Sequence, residues 1–492
     1  MVKMSSARIC ALCLQLCLVW AFLFQNIEGN RKVVCYYSSS ANDRLGIGRF
    51  EPENIDPYLC THIIYAFVDM NGLYLKPSRN LDSEYYQRTL ALKKQNPQLR
   101  VLLTVGGWNI GSKPFLEMIQ SQYTMAQWSQ NVINYLRRYG FDGLDMDWEF
   151  PGARGSLPRD KHAFTVMLKI LQDSFRRESQ QTGNEKLILT LATASGSYYI
   201  GKAYETTEIV KYIDYMLLMT YNYHGLWEKQ TGHHSPLYGS ASDPPGEQSQ
   251  LNQVWSINFW LRQGMPRDRL IVGIATYGMS FTLANPAVNG IRAPAVRSNV
   301  SADRGGRPGP QTNEAGILSF YEICTYQKGP NPWRRIWLND MKVPYAYGGD
   351  QWVGYDDLES ITYKANYIVN NNLGGAFLWS VEMDDFNNVC GYGRYPLIMK
   401  IDEILKPWQW TPTVRPTLGP VTTANPVTLF PPSNTFDCSY RLDGIYYVPR
   451  DCRLYVLCME AKAFVLKCPT NTLFDRQLKL CNYKALVKNC NY

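Results

Sequence analysis

The chain has 492 residues, of which 45% are hydrophobic and 19% charged, and its net charge is +8. That length is too great for one ordinary domain and suits a large barrel with a smaller unit beside it. The positive charge is spread thinly, without a Lys/Arg-rich run or a basic helix, which sets nucleic acid aside as a partner.

Residues 1–29 read as a signal peptide. Lys3 and Arg8 form a basic start, Ile9–Phe24 is apolar apart from Gln15, and Gly29 suits the cleavage position. No later segment is long and apolar enough to span a bilayer, so a secreted protein with no membrane attachment after cleavage is expected. Of the 13 Cys, three (Cys10, Cys13 and Cys17) leave with the leader, and an even set remains. In an oxidising compartment that set reads as five disulfides. Metal ligation is not expected, because no C-x-x-C pair remains once the leader is removed and the His residues are poorly placed.

Arg31–Tyr37, Thr61–Asp69 and Arg100–Gly106 read as the first three strands. Apolar residues at helical spacing over Asp82–Asn96 and Tyr123–Tyr139 place helices between and after them. Phe141–Asp147 is the fourth strand, Lys161–Glu178 a helix and Lys186–Ala194 the fifth strand. Tyr212–Tyr221, Arg269–Ala275 and Gly375–Ser380 follow as the sixth to eighth. Apolar strands alternating with helices argue for a closed parallel α/β barrel. Thr282–Val353 breaks this rhythm, carrying Gly, Pro and aromatic residues without helical spacing. From Thr411 to Ser433 the chain turns to Pro and Thr, an extended spacer that cannot build a core. The tail from Phe436 holds Cys438, Cys452, Cys458, Cys468, Cys481 and Cys490, and a segment so short needs disulfides to hold it together.

The most telling stretch is Gly140–Pro151, G-F-D-G-L-D-M-D-W-E-F-P. Strand periodicity puts Asp145, Asp147 and Glu149 on one face, with Leu144, Met146 and Trp148 on the other. Three aligned carboxylates repel, so protons are shared and one acid keeps its proton near neutral pH. Glu149, last in the row, is the natural proton donor. A divalent-metal loop would use irregular backbone and small polar ligands in place of the interleaved Trp and Phe.

D-G-L-D-M-D-W-E resembles the D-x-x-D-x-D-x-E signature of glycoside hydrolase family 18, the chitinases and chitinase-like lectins. C-T-H-I-I-Y-A-F, V-G-G-W-N-I-G-S and Q-W-V-G-Y-D-D are also similar to that family. The tail's cysteine spacing resembles a peritrophin-A type chitin-binding module, and module and spacer together suggest an arthropod-type chitinase. The resemblance implies a (β/α)8 TIM barrel over residues 30–407 with a small α+β insertion at about 282–353 between strands 7 and 8. A linker over 408–435 and a disulfide-rich β module over 436–492 complete the expected organisation. It carries the pairs Cys35–Cys60 and Cys324–Cys390 in the barrel, and Cys438–Cys458, Cys452–Cys490 and Cys468–Cys481 in the tail. By spacing alone, six cysteines allow fifteen connectivities. Asn299 begins the one plausible N-glycosylation sequon, within the insertion.

For the chemistry, the resemblance implies substrate-assisted, retaining hydrolysis of β-1,4-linked N-acetylglucosamine, with no cofactor. Glu149 would protonate the leaving oxygen. Asp147 would hold the acetamido N–H, and Asp145 would be buried and share its proton. Asp142 would only support the strand. In Met219-Thr220-Tyr221 the tyrosine would hydrogen-bond the acetamido oxygen. Trp379 would lie beneath the reacting sugar, and Tyr36, Trp108, Asn109, Trp227 and Tyr277 would line the cleft. An aromatic content of 13% fits such platforms.

Three positions depart from the family pattern. Asn222 stands where Asp is common, which predicts a changed pH profile or a lower rate. Ser40 stands where a Trp platform is frequent, and Met279 where Arg is frequent, so long chains should be held less firmly in the cleft. The expectation is a monomeric, secreted endochitinase acting on chitin and chitooligosaccharides. The alternative is a chitin-binding lectin or growth-factor-like protein on the same scaffold, although such proteins typically lose the acid that Glu149 retains here.

Overall fold

The computed structural model describes residues 31–297, 305–406 and, in the tail, 444–448, 451–459, 462–468, 472–475, 480–483 and 487. The leader expected over 1–29, the sequon at Asn299 and the linker expected over 408–435 lie outside the described residues. Among the described residues no helix is long and apolar enough to cross a membrane. The chain divides into two compact units, one ending at Gln409 and one beginning at Trp410.

In the first unit, eight parallel strands form a closed ring. They are β1 (Lys32–Ser38), β2 (His62–Asn71), β3 (Arg100–Gly106), β4 (Gly143–Asp147), β5 (Ile188–Thr193), β6 (Tyr215–Leu218), β7 (Leu270–Ala275) and β8 (Gly375–Trp379). Each pairs with its neighbours in chain order, and β1 pairs with both β2 and β8. The two-residue period sorts the side chains. Leu144, Met146 and Trp148 face the outer core beneath the helices, while Val34, Ile64, Leu102, Leu217, Ile271 and Phe377 fill the barrel's interior.

Helices at Asp82–Ala91, Gln122–Tyr139 and Asp160–Thr182 cover the ring as expected. The second begins with a Ser121 side chain accepting from Thr124 N and ends at Gly140, whose φ of 93° stops it. The first is α-helical only to Ala91, and its expected continuation is a 3₁₀ turn at Leu92–Lys94. Further helices at Gln253–Arg262, Leu358–Asn370 and Pro396–Leu405 were not anticipated.

The sixth strand is shorter than its apolar run, Tyr212–Tyr221. After Leu218, Thr220 N donates back to Leu218 O and the chain leaves the ladder, which carries Tyr221 out of the sheet. The insertion also starts earlier than expected. Its first strand, Tyr277–Leu283, follows β7 almost directly and is wholly buried. It joins strands at Gln351–Gly354, Val343–Gly348 and Arg334–Leu338 in an antiparallel sheet. A helix at Phe320–Lys328, begun by a Ser319/Glu322 capping box, belongs to it despite the weak helical spacing.

Cys35–Cys60 and Cys324–Cys390 are disulfides. In the second unit, Gly444–Tyr447, Leu454–Met459 and Lys462–Lys467 form an antiparallel sheet, and Thr472–Asp475 pairs with Leu480–Tyr483. The Tyr455 and Phe474 rings stack at 5.2 Å. Cys452 and Cys468 are disulfide-bonded. Cys438, Cys490 and the side chains of Cys458 and Cys481 lie outside what is described, so the three expected tail pairings do too.

Candidate active site

The acidic row lies at the C-terminal end of β4, the end where barrels of this kind build their sites. The approach of β3 to β4 there depends on Gly106. Its φ is +123°, and a side chain on it would collide with the Asp147 backbone carbonyl. Gly107 N donates to that carbonyl at 2.8 Å, fixing the row's height.

Asp145 is fully buried. Its Oδ2 accepts from Tyr36 Oη at 2.6 Å and Thr104 Oγ1 at 2.8 Å, and its Oδ1 accepts from Thr190 Oγ1 at 2.6 Å. The donors come from β1, β3 and β5, so closing the barrel is what completes the set. Burial raises the Asp145 pKa, and the three donors, Thr190 first, pull it back down.

Asp147 has no comparable support. It is 5% exposed, and its Oδ1 has no hydrogen-bond partner among the described residues. Burial, then the charges of Glu149 and Asp145, push its pKa well above the usual carboxylate range. At this depth a carboxylate oxygen without a donor favours carrying the proton itself. Glu149 follows at the rim, with its pKa pushed up by burial to about 7 and held back by the charge of Arg154.

Tyr221 is 9% exposed, and its ring packs edge-on to Tyr277 and Phe377. Its own titration is raised chiefly by burial, then by Tyr277 and by the charges of Asp147, Glu149 and Asp145. The Tyr277 hydroxyl donates to Asn222 Oδ1 at 2.6 Å, and Asn222 adopts a left-handed backbone with φ 57°. Trp379 is half-buried at the end of β8, with its ring 5.3 Å from Tyr36 and 5.7 Å from Phe67. Met219 is half-buried and packs against both apolar layers.

The cleft-lining group expected from sequence therefore divides in two. Tyr36 and Tyr277 are 2% and 3% exposed and act as buried hydrogen-bond donors, not as open platforms. Trp108 and Trp227 are about half exposed, as an open sugar platform requires. Trp108 is tied to the acid by Arg154, whose guanidinium lies 3.4 Å over its ring and donates to the Trp108 and Glu149 carbonyls. Asn109 and Trp227 have no hydrogen bond or ring contact with the acids among the described residues. Asp142 stays apart at the strand's other end, accepting from Lys93 Nζ and Val101 N. Met279 is buried in the inner layer, and Ser40 is exposed with its hydroxyl 2.9 Å from Ser38 Oγ.

Sequence reading missed Thr104, Thr190, Phe67 and Arg154. For the two threonines a usable signal exists, since both are hydroxyl residues at inward positions of otherwise apolar strands.

A protonatable acid at the rim, a protonated neighbour beneath it and a buried tyrosine in the same inner layer make a site that can protonate a leaving group and hold an amide. The model of Glycosyl hydrolases family 18 matches residues 32–384, and that of the Chitin binding Peritrophin-A domain matches residues 438–490. Chitotriosidase-1 of Mus musculus is 37% identical over 455 residues, covering 92% of this chain and 95% of the relative. Chitinase-3-like protein 2 of Homo sapiens is 38% identical, covering 76% and 92%. Among solved structures, a Group IV chitinase of Ostrinia furnacalis superposes with a TM-score of 0.71 at 34% identity, covering 76% of this chain and 99% of that one. Human YKL-39, described as a pseudo-chitinase with retained chitooligosaccharide binding, superposes equally well at 37% identity and the same coverage.

Proposed function

This chain belongs to glycosyl hydrolase family 18 and carries a peritrophin-A chitin-binding domain, and from that premise we propose that it is a secreted endochitinase. It hydrolyses β-1,4-N-acetylglucosamine linkages with retention, and its C-terminal domain holds it on chitin. The observation that carries this reading is the intact row Asp145–Asp147–Glu149, with the Glu149 pKa at about 7 and Tyr221 alongside.

Glu149 gives its proton to the glycosidic oxygen as the bond to the anomeric carbon breaks. The substrate's own acetamido carbonyl closes on that carbon, giving an oxazolinium ion. Tyr221 donates to the acetamido oxygen, and Asp147, its proton passed to Asp145, accepts the acetamido N–H and balances the developing positive charge. Water then adds from the face the leaving group vacated, breaking the oxazolinium bond to the anomeric carbon on the opposite face, and Glu149, now a carboxylate, takes a proton from that water. Asp145, fixed by Tyr36, Thr104 and Thr190, holds Asp147 in register and keeps its titration high. Trp379 and Trp108 supply ring faces for the sugars on either side of the cleaved bond. Secretion is supported by the basic and apolar leader and by the disulfides.

The second reading, a chitin-binding lectin without turnover, is favoured by the likeness to YKL-39. Turnover of a soluble chitin hexamer across pH 4–9, run beside Glu149→Gln, separates the two. Wild-type cleavage that the variant lacks supports the enzyme. Binding without cleavage by either protein leaves the lectin.

A further inference from the structure

Behind Tyr221 lies an ion pair that the chemistry above does not use. Lys364, in the helix Leu358–Asn370, and Asp356 meet at 2.6 Å with side chains 1% and 0% exposed. The ammonium spends all three donors inside the protein. One goes to Asp356 Oδ2, and the others go to Ser235 O at 2.6 Å and Ser235 Oγ at 3.1 Å. Ser235 Oγ in turn donates to Thr220 O at 2.9 Å. Gln253 Nε2 reaches the same carbonyl, and Thr220 Oγ1 donates to Gly273 O on β7.

Thr220 is the residue on which the chain leaves the barrel, and Tyr221 is next. A carbonyl fixed from two sides allows that peptide little rotation, so the following side chain has one direction. The same segment braces the neighbouring donor. Tyr223 N bonds His234 O, and the buried His234 ring packs 5.0 Å from Tyr277, which donates to Asn222. His233 pins the segment to the insertion, with Nδ1 accepting from Ser235 N and Nε2 facing the Pro344 and Tyr355 carbonyls.

A buried ion pair is a poor way to gain stability, since well-packed apolar residues of the same volume usually serve as well. What it gives is a fixed direction. We propose that Asp356 and Lys364 are positioning residues for catalysis, aiming the Tyr221 hydroxyl at the substrate's acetamido oxygen through Ser235 and Thr220. This rests on the chitinase reading given above.

The test is a double-mutant cycle between Lys364→Met and Tyr221→Phe on a soluble chitin hexamer. Lys364→Met alone should lower kcat by about ten- to a hundredfold, as small misplacements do, with KM within about twofold. The pH limbs should not move, because Glu149 is untouched. In the Tyr221→Phe background the same substitution should change kcat by less than twofold. Equal losses in both backgrounds overturn the proposal. Ser235→Ala removes only the hydroxyl relay, and it should also lower kcat in the wild-type background and not in Tyr221→Phe. It carries the test if Lys364→Met does not fold. If wild type shows no turnover, the chitinase reading fails first. The cycle is then run on hexamer affinity by tryptophan fluorescence, where coupled losses uphold the positioning role and additive losses reject it.

Discussion

The Tyr36 hydroxyl donates to Asp145 Oδ2 at 2.6 Å, joining the first barrel strand to the fourth beneath the acidic row. Tyr36→Phe leaves Asp145 with Thr104 and Thr190 as its remaining donors. Removing one donor from a buried acceptor costs about 1–3 kcal/mol. The variant should melt several degrees lower and turn over more slowly while still binding chitin oligomers, as thermal unfolding and hexamer kinetics can show.

Glu149 contributes a pH-dependent stability of unusual sign. Its pKa rises from the ordinary 4.5 to about 7 on folding, so between those values the folded state holds a proton that the unfolded state has released. The favourable contribution is fully present below about pH 4.5 and is lost as pH rises through 7. Glu149→Gln cannot lose a proton. It should match wild type in melting temperature at pH 4 and exceed it at pH 8, by the equivalent of ~3 kcal/mol. Its turnover should fall by about 10²–10⁴-fold.

Arg154 holds the Glu149 pKa down. Arg154→Gln should therefore move the alkaline limb of kcat/KM to higher pH, because Glu149 keeps its proton longer. It also removes the cation from the Trp108 face, so KM for long oligomers should rise. A pH–rate profile with two oligomer lengths reads both effects.

Asn222→Asp preserves the acceptor for Tyr277 and adds a negative charge near Tyr221. The alkaline limb should again move up, through electrostatic repulsion and not through loss of a cation. Because that charge is exposed, salt should weaken the shift, and repeating the profile at high ionic strength checks this.

The two barrel-region disulfides close spans of 25 and 66 residues. Loop entropy alone assigns them about 3.5 and about 4 kcal/mol. Replacing Cys35 and Cys60 by Ala should lower the melting temperature and also cut activity, since Tyr36 follows Cys35 directly. Replacing Cys324 and Cys390 should lower the melting temperature with little change in kcat.

Much of this was legible in the chain. The alternation of acids with Leu144, Met146 and Trp148 fixes which side of β4 faces the barrel interior, and apolar strands spaced by helices announce the ring. What escaped depends on closure. Thr104 and Thr190 are ordinary strand residues until β3 and β5 flank β4, and only then do their hydroxyls converge on Asp145. Tyr36 and Tyr277 read as cleft-lining rings, and their role as buried donors stays hidden, because sequence reports a ring and not its depth. Lys364 lies in a helix with few other signals, and its partners are 129 and 8 residues away. The sixth strand was drawn too long because Met219 and Tyr221 continue the apolar run after the backbone has turned away.

The cost of keeping Glu149 in a site that resists its charge has an evolutionary side. At neutral and alkaline pH, a neutral residue at that position relieves the fold while leaving the ring faces of Trp379 and Trp108 in place. In a duplicated copy of such a gene, the step from hydrolase to sugar-binding protein therefore runs downhill in folding free energy and takes a single substitution. The return step runs uphill and needs selection for turnover. Such an asymmetry would let silent scaffolds accumulate beside active ones within one family.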